Sequence, residues 1–514
     1  MRRRNLLKAI GAGTAGLVLA PSLVARSLGA YPFAIGVAAG DPAADGFVIW
    51  TRLVTAPLDE HGGIPAVRIP VDWEVAADER FSTVVARGQA TANPELGHSV
   101  HVEVQGLQPH RHYWYRFHAG GETSRVGMAR SLPAAAELPS RFRFAVAGCQ
   151  HYEHGHFNAW QMLAQEPDLD LVFHYGDYIY EGGPGQLGPR PNGVVGVRQH
   201  VGGEIYSLDD YRRRHAQYKS DPQLQAAHAA CAFASSFDDH EVDNNWVGDI
   251  SGEAVDPEMF QLRRMVAMQA WYEHMPVRRA QFPLLTGMTA HRRLDVGRLL
   301  RMHVLDTRSY RSDQPCEDGR IKPCLREARV SGSVLGTGQE RWLDDGLGND
   351  AVWNVIAQQL LVMPFDRRGP DDEHPNLGTD IWDGYRSARD RLIGSIRKRD
   401  LKNVVIVSGD YHRNIVGELP VRDTEPDGEK AAVEFLATSM SSENPNNLPV
   451  DYVLGNNPHV QLYSDERGYH LHEMTPRQLV TEVKSVDQNR TVGGRLARVQ
   501  RFVVAPDAPR LQQA

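Results

Sequence analysis

The stretch Leu171–Glu181, LVFHYGDYIYE, closes an apolar run with a glycine, a carboxylate and, three residues later, a tyrosine. The apolar part reads as a buried strand. Asp177 and Tyr180 lie just past its end, where two oxygen donors can be aimed at one point. Other strand-like runs end the same way. FRFAVAGCQ stops at Cys149-Gln150, and CAFASSFDDHE stops at Asp238-Asp239-His240-Glu241 with Asn244 close behind. RLLRMHVLDTR carries Asp306 and Arg308, VWNVIAQQLL carries Gln358 and Gln359, and NVVIVSGDYH carries Asp410 and His412. In open α/β sheets ligands bind beyond the carboxyl ends of the strands, so polar groups at one end of successive strands predict a site there.

The residue types indicate metal chemistry. Carboxylate, amide oxygen and water suit calcium, magnesium or manganese. A thiolate or tyrosinate adds the negative charge that a hard trivalent ion favours. A carboxylate in a tight turn, as at Asp177, can bridge two ions. Two metals about 3.5–4 Å apart can grip a phosphate, ionise a water and neutralise charge during in-line displacement. Each residue also has a plainer reading. Cys149 alone would be an inert buried thiol, Asp177 a turn cap, and Tyr180 a packed ring with a bonded hydroxyl. Asp238 would form a structural ion pair, His240 would hold a neighbouring ligand in place, and Asn244 would cap a turn. Arg308 and Arg311 divide evenly between a substrate contact through a planar fork and a salt bridge to Asp306 or another carboxylate.

The elements that position these residues follow from the pattern. At 514 residues the chain has room for two or three domains. Its 41% apolar and 23% charged content is that of an ordinary globular protein. The formal charge of −8 argues against a nucleic-acid or anionic-membrane surface. From Tyr31 to Ser131, short alternating runs such as GFVIWTRL, VDWEVAAD, STVVARGQA, HSVHVEV and YWYRFHAG predict a small β-sandwich of fibronectin or immunoglobulin type. SLPAAAELPSR, 131–141, reads as a linker. Beyond it strands alternate with helices, beginning with a βαβ unit over FRFAVAGCQ, HFNAWQMLAQEP and LDLVFHYGD. Further helices are expected near Leu208–Ala230, Met259–Met275 with Asp256 as cap and Pro257 in the first turn, and Ala388–Lys402. This predicts a layered α/β domain.

The amino terminus, MRRRNLLKAIGAGTAGLVLAPSLVARSLGA, joins an Arg cluster to an apolar stretch too short and small for a good membrane span. Its RR-x-x-LK arrangement reads as a twin-arginine signal, with cleavage between Ala25 and Ala30. The mature protein is therefore expected to be periplasmic or secreted, with the twin-arginine translocase as its export partner. Of four cysteines, Cys316 and Cys324 bracket a polar loop and can close a small disulfide in an oxidising compartment. Cys231 reads as buried filler.

GCQ, GDYIYE, SFDDHEVDNNW and SGDYH, in that order, together with FAIGVAAGDPAADGFVIWTRL and LDTRSYR, closely resemble the alkaline phosphatase D (PhoD-type) family, over nearly the whole mature chain. That family is related to purple acid phosphatases and calcineurin-like metallophosphoesterases, and comprises exported iron- and calcium-dependent phosphoesterases. The resemblance implies a signal over 1–30, a β-sandwich over 31–131 and, over 141–514, an α/β layered metallophosphoesterase domain of two packed mixed β-sheets flanked by helices. It implies that Cys149, Asp177, Tyr180 and His412 surround a ferric ion. Asp177 would bridge to one or two calcium ions held with Asp239, Asn244 and Asp410. Sequence leaves Asp238 and Asp239 open; analogy with the GNHE of related phosphoesterases selects Asp239 and makes His240 a proton donor or phosphate contact. Gln358 or Gln359 falls where relatives often carry a metal-binding histidine. The carboxyl-terminal tail after about Gly468 would cover the site.

The resulting expectation is a hydrolase of phosphate monoesters or diesters, in which a metal-bound hydroxide attacks phosphorus, with Asp177, His240, Asn244 and Arg308 at the chemistry. A phospholipase D acting on lipid headgroups is the alternative within the same class. A non-catalytic exported binding protein with a metal-stabilised domain is the alternative of another class, and a redox iron protein is a third.

Overall fold

The computed structural model describes residues 28–186, 196–253, 255–284, 287–319, 321, 324, 329–371, 373–444 and 448–514. The expected export signal, apart from 28–30, lies outside the described residues. No described helix is long and apolar enough to cross a membrane.

Two mixed sheets pack face to face. The first has ten strands in the order Ala508–Gln513, Leu496–Ala505, Leu479–Val486, Gly468–Met474, Phe142–Ala147, Leu171–His174, Ala232–Ser235, Val37–Ala43, Gly46–Arg52 and Ser99–Val104. The second has seven, in the order Arg292–Val296, Leu300–Val304, Trp353–Ala357, Val404–Ser408, Lys430–Leu436, Asn414–Pro420 and Val460–Ser464. Phe142–Ala147, Leu171–His174 and Ala232–Ser235 run parallel. So do Leu300–Val304, Trp353–Ala357, Val404–Ser408 and Lys430–Leu436.

The period of two sorts side chains between layers. Phe144, Val146, Leu171 and Phe173 point into the core shared with Met302, Val355, Val405 and Phe435 of the second sheet. Ala145, Ala147 and Val172 face the opposite way, against Trp160, Tyr218, Leu224 and Trp271. On the far side of the second sheet, Ile356 and Ile406 pack with Leu343, Leu392 and Ile396. These strands are buried on both faces, which is why they read as unbroken apolar runs rather than as alternating ones.

The all-β amino-terminal part is present, but one of its two layers is not separate. Ile69–Ala76, Val84–Ala92, His112–Ala119 and two short strands form a five-stranded sheet. Val37–Ala43, Gly46–Arg52 and Ser99–Val104 instead extend the ten-stranded sheet, Ala39 pairing with Ala232 in parallel register. Phe47 and Ile49 pack with Val71, Tyr115 and Phe117 in the same continuous core as the α/β strands.

One other expectation changes. The helix expected over Leu208–Ala230 is two helices, Leu208–Lys219 and Pro222–Ala230. Pro222 cannot continue a helix from the preceding turn, and Asp221 caps the new one through the N–H groups of Gln223 and Leu224. The segment after Gly468 adds strands to the first sheet, with Leu471 opposite Ala145, and its loop reaches Ser441 through Asn489 (3.0 Å). The helix Pro257–His274 starts as expected, capped by Asp256.

Candidate metal centre

The turns leaving the carboxyl ends of the parallel strands carry the polar groups. Cys149, Asp177, Asp410 and His412 have φ of 48°, 54°, 67° and 55°, the left-handed region that disfavours side chains and is held only where surroundings over-determine it. Backbone bonds supply part of that hold. Cys149 N–H donates to Gly176 O (3.0 Å) and Gln150 N–H to Asp177 O (3.1 Å). Gly176 is required where it stands: at φ 134°, a Cβ there would lie 2.5 Å from the Asp238 nitrogen.

Three groups converge on Asp177 Oδ2. The Cys149 thiol is 3.2 Å away, the Tyr180 hydroxyl 2.9 Å and His412 Nε2 3.9 Å; Tyr180 and His412 are 3.2 Å apart. Ser442 completes the ring, its Oγ 2.7 Å from the Tyr180 hydroxyl. A second group comprises Asp238, Asp239 and Asp410, whose oxygens lie within 4.8 Å of one another, and Asp177, Asp239 and His240 form a third that joins the other two. Asp177 thus belongs to the first group and to the joining one. Asp238 and Asp239 stand together in the acidic group, and Asp239 alone of the pair also belongs to the joining group.

The electrostatics call for positive charge. Burial pushes the Cys149 thiol, the Tyr180 hydroxyl and the Asp177 and Asp410 carboxyls well above their ordinary ranges, and neighbouring carboxylates add to it. Burial and nearby Arg467 hold His412 neutral, the form in which imidazole binds metal. Asp177 Oδ1, Asp238 Oδ2 and Asp239 Oδ1 are buried and accept no hydrogen bond within the protein. Unsatisfied buried acceptors of this kind are costly, and bound cations invert the local preference for the protonated form. The donor set therefore fits metal ions: thiol, phenol, imidazole and carboxylate at one end, carboxylates alone at the other.

The His240 ring packs tilted against Tyr180, ring centres 4.2 Å apart, and its Nδ1 is 2.7 Å from Glu181 Oε2. Burial opposes its charge, but Glu181, Asp239 and Asp177 raise its pKa well above the usual histidine value. Asn244 enters through its backbone, donating to Glu181 Oε1 (2.9 Å).

Of the two readings open for Arg308, phosphate fork or salt bridge, the structure shows the salt bridge. It is fully enclosed, with Nε on Asp238 Oδ1 (2.6 Å) and Nη1 on Asp380 Oδ2 (3.0 Å). Its Nη2 lies 3.4 Å from Asp239 Oδ1 and 3.8 Å from Asp410 Oδ1. It is a counter-charge inside the acidic group. Arg311 sits 2.8 Å from Asp380 and over the Tyr385 ring. The glutamines depart from expectation. Gln359 bonds Thr307 and Ser236, and Gln358 bonds Leu360 and Trp382, so both amides serve the strand-end turns. Asp380, Glu181 and Ser442 were not foreseen as parts of the site. Glu181 stood within GDYIYE, but Asp380 sits in a loop with no pattern to mark it.

Residues 144–483 match the model of the PhoD-like phosphatase family, and residues 18–133 match that of the PhoD-like phosphatase N-terminal domain. Alkaline phosphatase D of Bacillus subtilis (strain 168) is 40% identical over 524 aligned positions, covering 99% of this chain and 89% of that protein. A solved structure of PhoD superposes with a TM-score of 0.89 at 41% identity, covering 94% of this chain and 92% of that one. Similarity of this extent, through both the all-β and the α/β parts, means that the chain belongs to the PhoD-like phosphatase family.

Proposed function

We propose that this chain is an exported phosphoester hydrolase that works on phosphate monoesters or diesters with a ferric ion and one or two calcium ions. The observation that carries the reading is the placement of Asp177. One of its oxygens gathers Cys149, Tyr180 and His412, the other is buried without a protein donor, and Asp239 and Asp410 lie beyond it. Cys149, Asp177, Tyr180 and His412 suit iron, and Asp177, Asp239, Asp410 and Asn244 suit calcium. Bound there, the ions would neutralise phosphate charge and acidify a water.

The chain's own groups provide the rest. Glu181 fixes the His240 ring by accepting the hydrogen bond of its Nδ1–H, so that Nε2 is the nitrogen able to give a proton to a departing oxygen. Arg308 offsets the charge of Asp238 and Asp380, which keeps the acidic group from repelling a phosphate. Export is supported by the Arg-rich start and by the Cys316–Cys324 disulfide, since such bonds persist in oxidising compartments.

The test is elemental analysis of the purified protein combined with hydrolysis of 4-nitrophenyl phosphate, bis(4-nitrophenyl) phosphate and a detergent-solubilised phospholipid. Iron and calcium with turnover of the soluble esters support the reading. Turnover of the phospholipid alone would replace it by the phospholipase D reading, and no metal with no turnover would defeat it.

A further inference from the structure

Glu241 is completely buried, follows Asp238 by three residues, and takes three backbone N–H groups into its carboxylate. Oε2 accepts from Asp177 (3.0 Å) and Asp238 (2.9 Å); Oε1 accepts from Tyr178 (2.7 Å). One oxygen thus joins the turn after Leu171–His174 to the turn after Ala232–Ser235. The turn Asp239–Asp243, closed by Val242 and Asp243 N–H on Asp239 O (2.8 and 2.9 Å), sends the Glu241 side chain back beneath both. The two turns touch at Gly176, which tolerates no side chain there.

We infer that Glu241 is a positioning residue: it holds Asp177 in its left-handed conformation and at a fixed spacing from Asp238 and Asp239, so that one carboxylate serves both ends of the site. The inference rests on the reading of Asp177 as a metal ligand. Three backbone donors on one carboxylate define its position tightly, and outer groups that orient ligands commonly affect metal affinity or activity by 10–100-fold. The second sheet supplies a matched control. Glu434, also completely buried, accepts from Val362 (2.9 Å), Met363 (2.7 Å) and Ser408 (2.8 Å), yet binds the backbone of no candidate ligand.

The experiment compares full-length wild type, E241Q and E434Q. Glutamine keeps one acceptor oxygen and sets an amide group against at least one N–H donor. Melting temperature, metal retained against a graded chelator, and kcat and KM on bis(4-nitrophenyl) phosphate are measured for each. Both variants should melt lower. E241Q alone should hold metal about 10–100-fold less tightly, with kcat falling by a similar factor and KM moving less than about threefold. If E241Q does not accumulate folded, E241D, which keeps the charge but recedes by one methylene, takes its place with the same readouts. E241Q that retains metal like wild type, or loses no more than E434Q, would overturn the inference. Failure of the underlying reading shows elsewhere, as wild type without metal or turnover, and would overturn both.

Discussion

The Tyr180 hydroxyl and the Ser442 Oγ lie 2.7 Å apart, and Ser442 has a second use for its single proton, the Cys149 carbonyl at 2.7 Å. A hydroxyl carries one donor and two acceptor sites. If Tyr180 is a phenol it can donate to Ser442; if it is a phenolate, Ser442 must turn and donate to it. Cys149 O keeps the Ser442 N–H at 3.2 Å in either case. The residue thus accommodates both protonation states without moving its backbone.

Tyr180→Phe follows from this. With iron bound, wild type should absorb in the visible through tyrosinate charge transfer, and the Phe variant should lose that band. Ser442→Ala should keep the band at a shifted wavelength, because it removes a donor to the phenolate and not the ligand. Absorption spectra with metal analysis decide it. A colourless wild type carrying zinc or manganese would remove iron from the account and leave the phosphoester chemistry standing.

His240→Asn tests the proton donor. General-acid groups commonly contribute 10²–10⁴-fold, but a leaving group that departs unaided has little need of one. The variant should lose about 10²-fold or more on an alkyl phosphate ester and distinctly less on a 4-nitrophenyl ester. Equal losses on both would assign His240 to binding. His151 also packs against Tyr180, ring centres 4.4 Å apart, and its substitution should not produce this leaving-group dependence.

How much of this was legible depended on distance along the chain. Cys149, Asp177, Asp238 and Asp410 each follow a strand buried on both faces, and such runs are visible in sequence because the signal is local. Asp380 was not visible, since its role comes from Arg308, 72 residues earlier, across a fold that no local pattern encodes. The strands after Gly468 read as a tail for the same reason: Leu471 finds Ala145 more than three hundred residues away. Pro222 was local and could have been read, because a proline after Asp marks a new helix start. Arg308 was readable as a cation but not as an enclosed one, because burial is set by both sheets at once.

Arg308→Met should therefore behave as a charge deletion in a buried acidic group. Removing one member of a buried ion pair typically costs about 3–5 kcal/mol, and here Asp238 loses its close partner while Asp380 keeps Arg311 at 2.8 Å. The metal-free variant should melt well below metal-free wild type, and calcium should restore more of the loss than it adds to wild type. Calorimetry with and without chelator measures this. A variant as stable as wild type that binds inorganic phosphate more weakly would return Arg308 to the role of phosphate fork.

Glu434 gives the pH dependence, and it lies outside the acidic group. Burial raises its pKa from 4.5 to about 7, partly offset by the N–H groups of Val362 and Met363 and by Ser408. Between those two values the folded chain binds a proton that the unfolded chain has released, so the stability this group confers falls as pH rises. The contribution is complete below about 4.5 and lost above about 7, a change on the order of 3 kcal/mol. Glu434→Gln cannot titrate. Its melting temperature should lie furthest below wild type near pH 5, and the gap should narrow steadily toward pH 8. Because every other titrating group is common to both proteins, the difference between the two melting curves isolates Glu434. A gap that stays constant across that window would mean that Glu434 is ionised in the folded protein throughout, held by its three donors against burial.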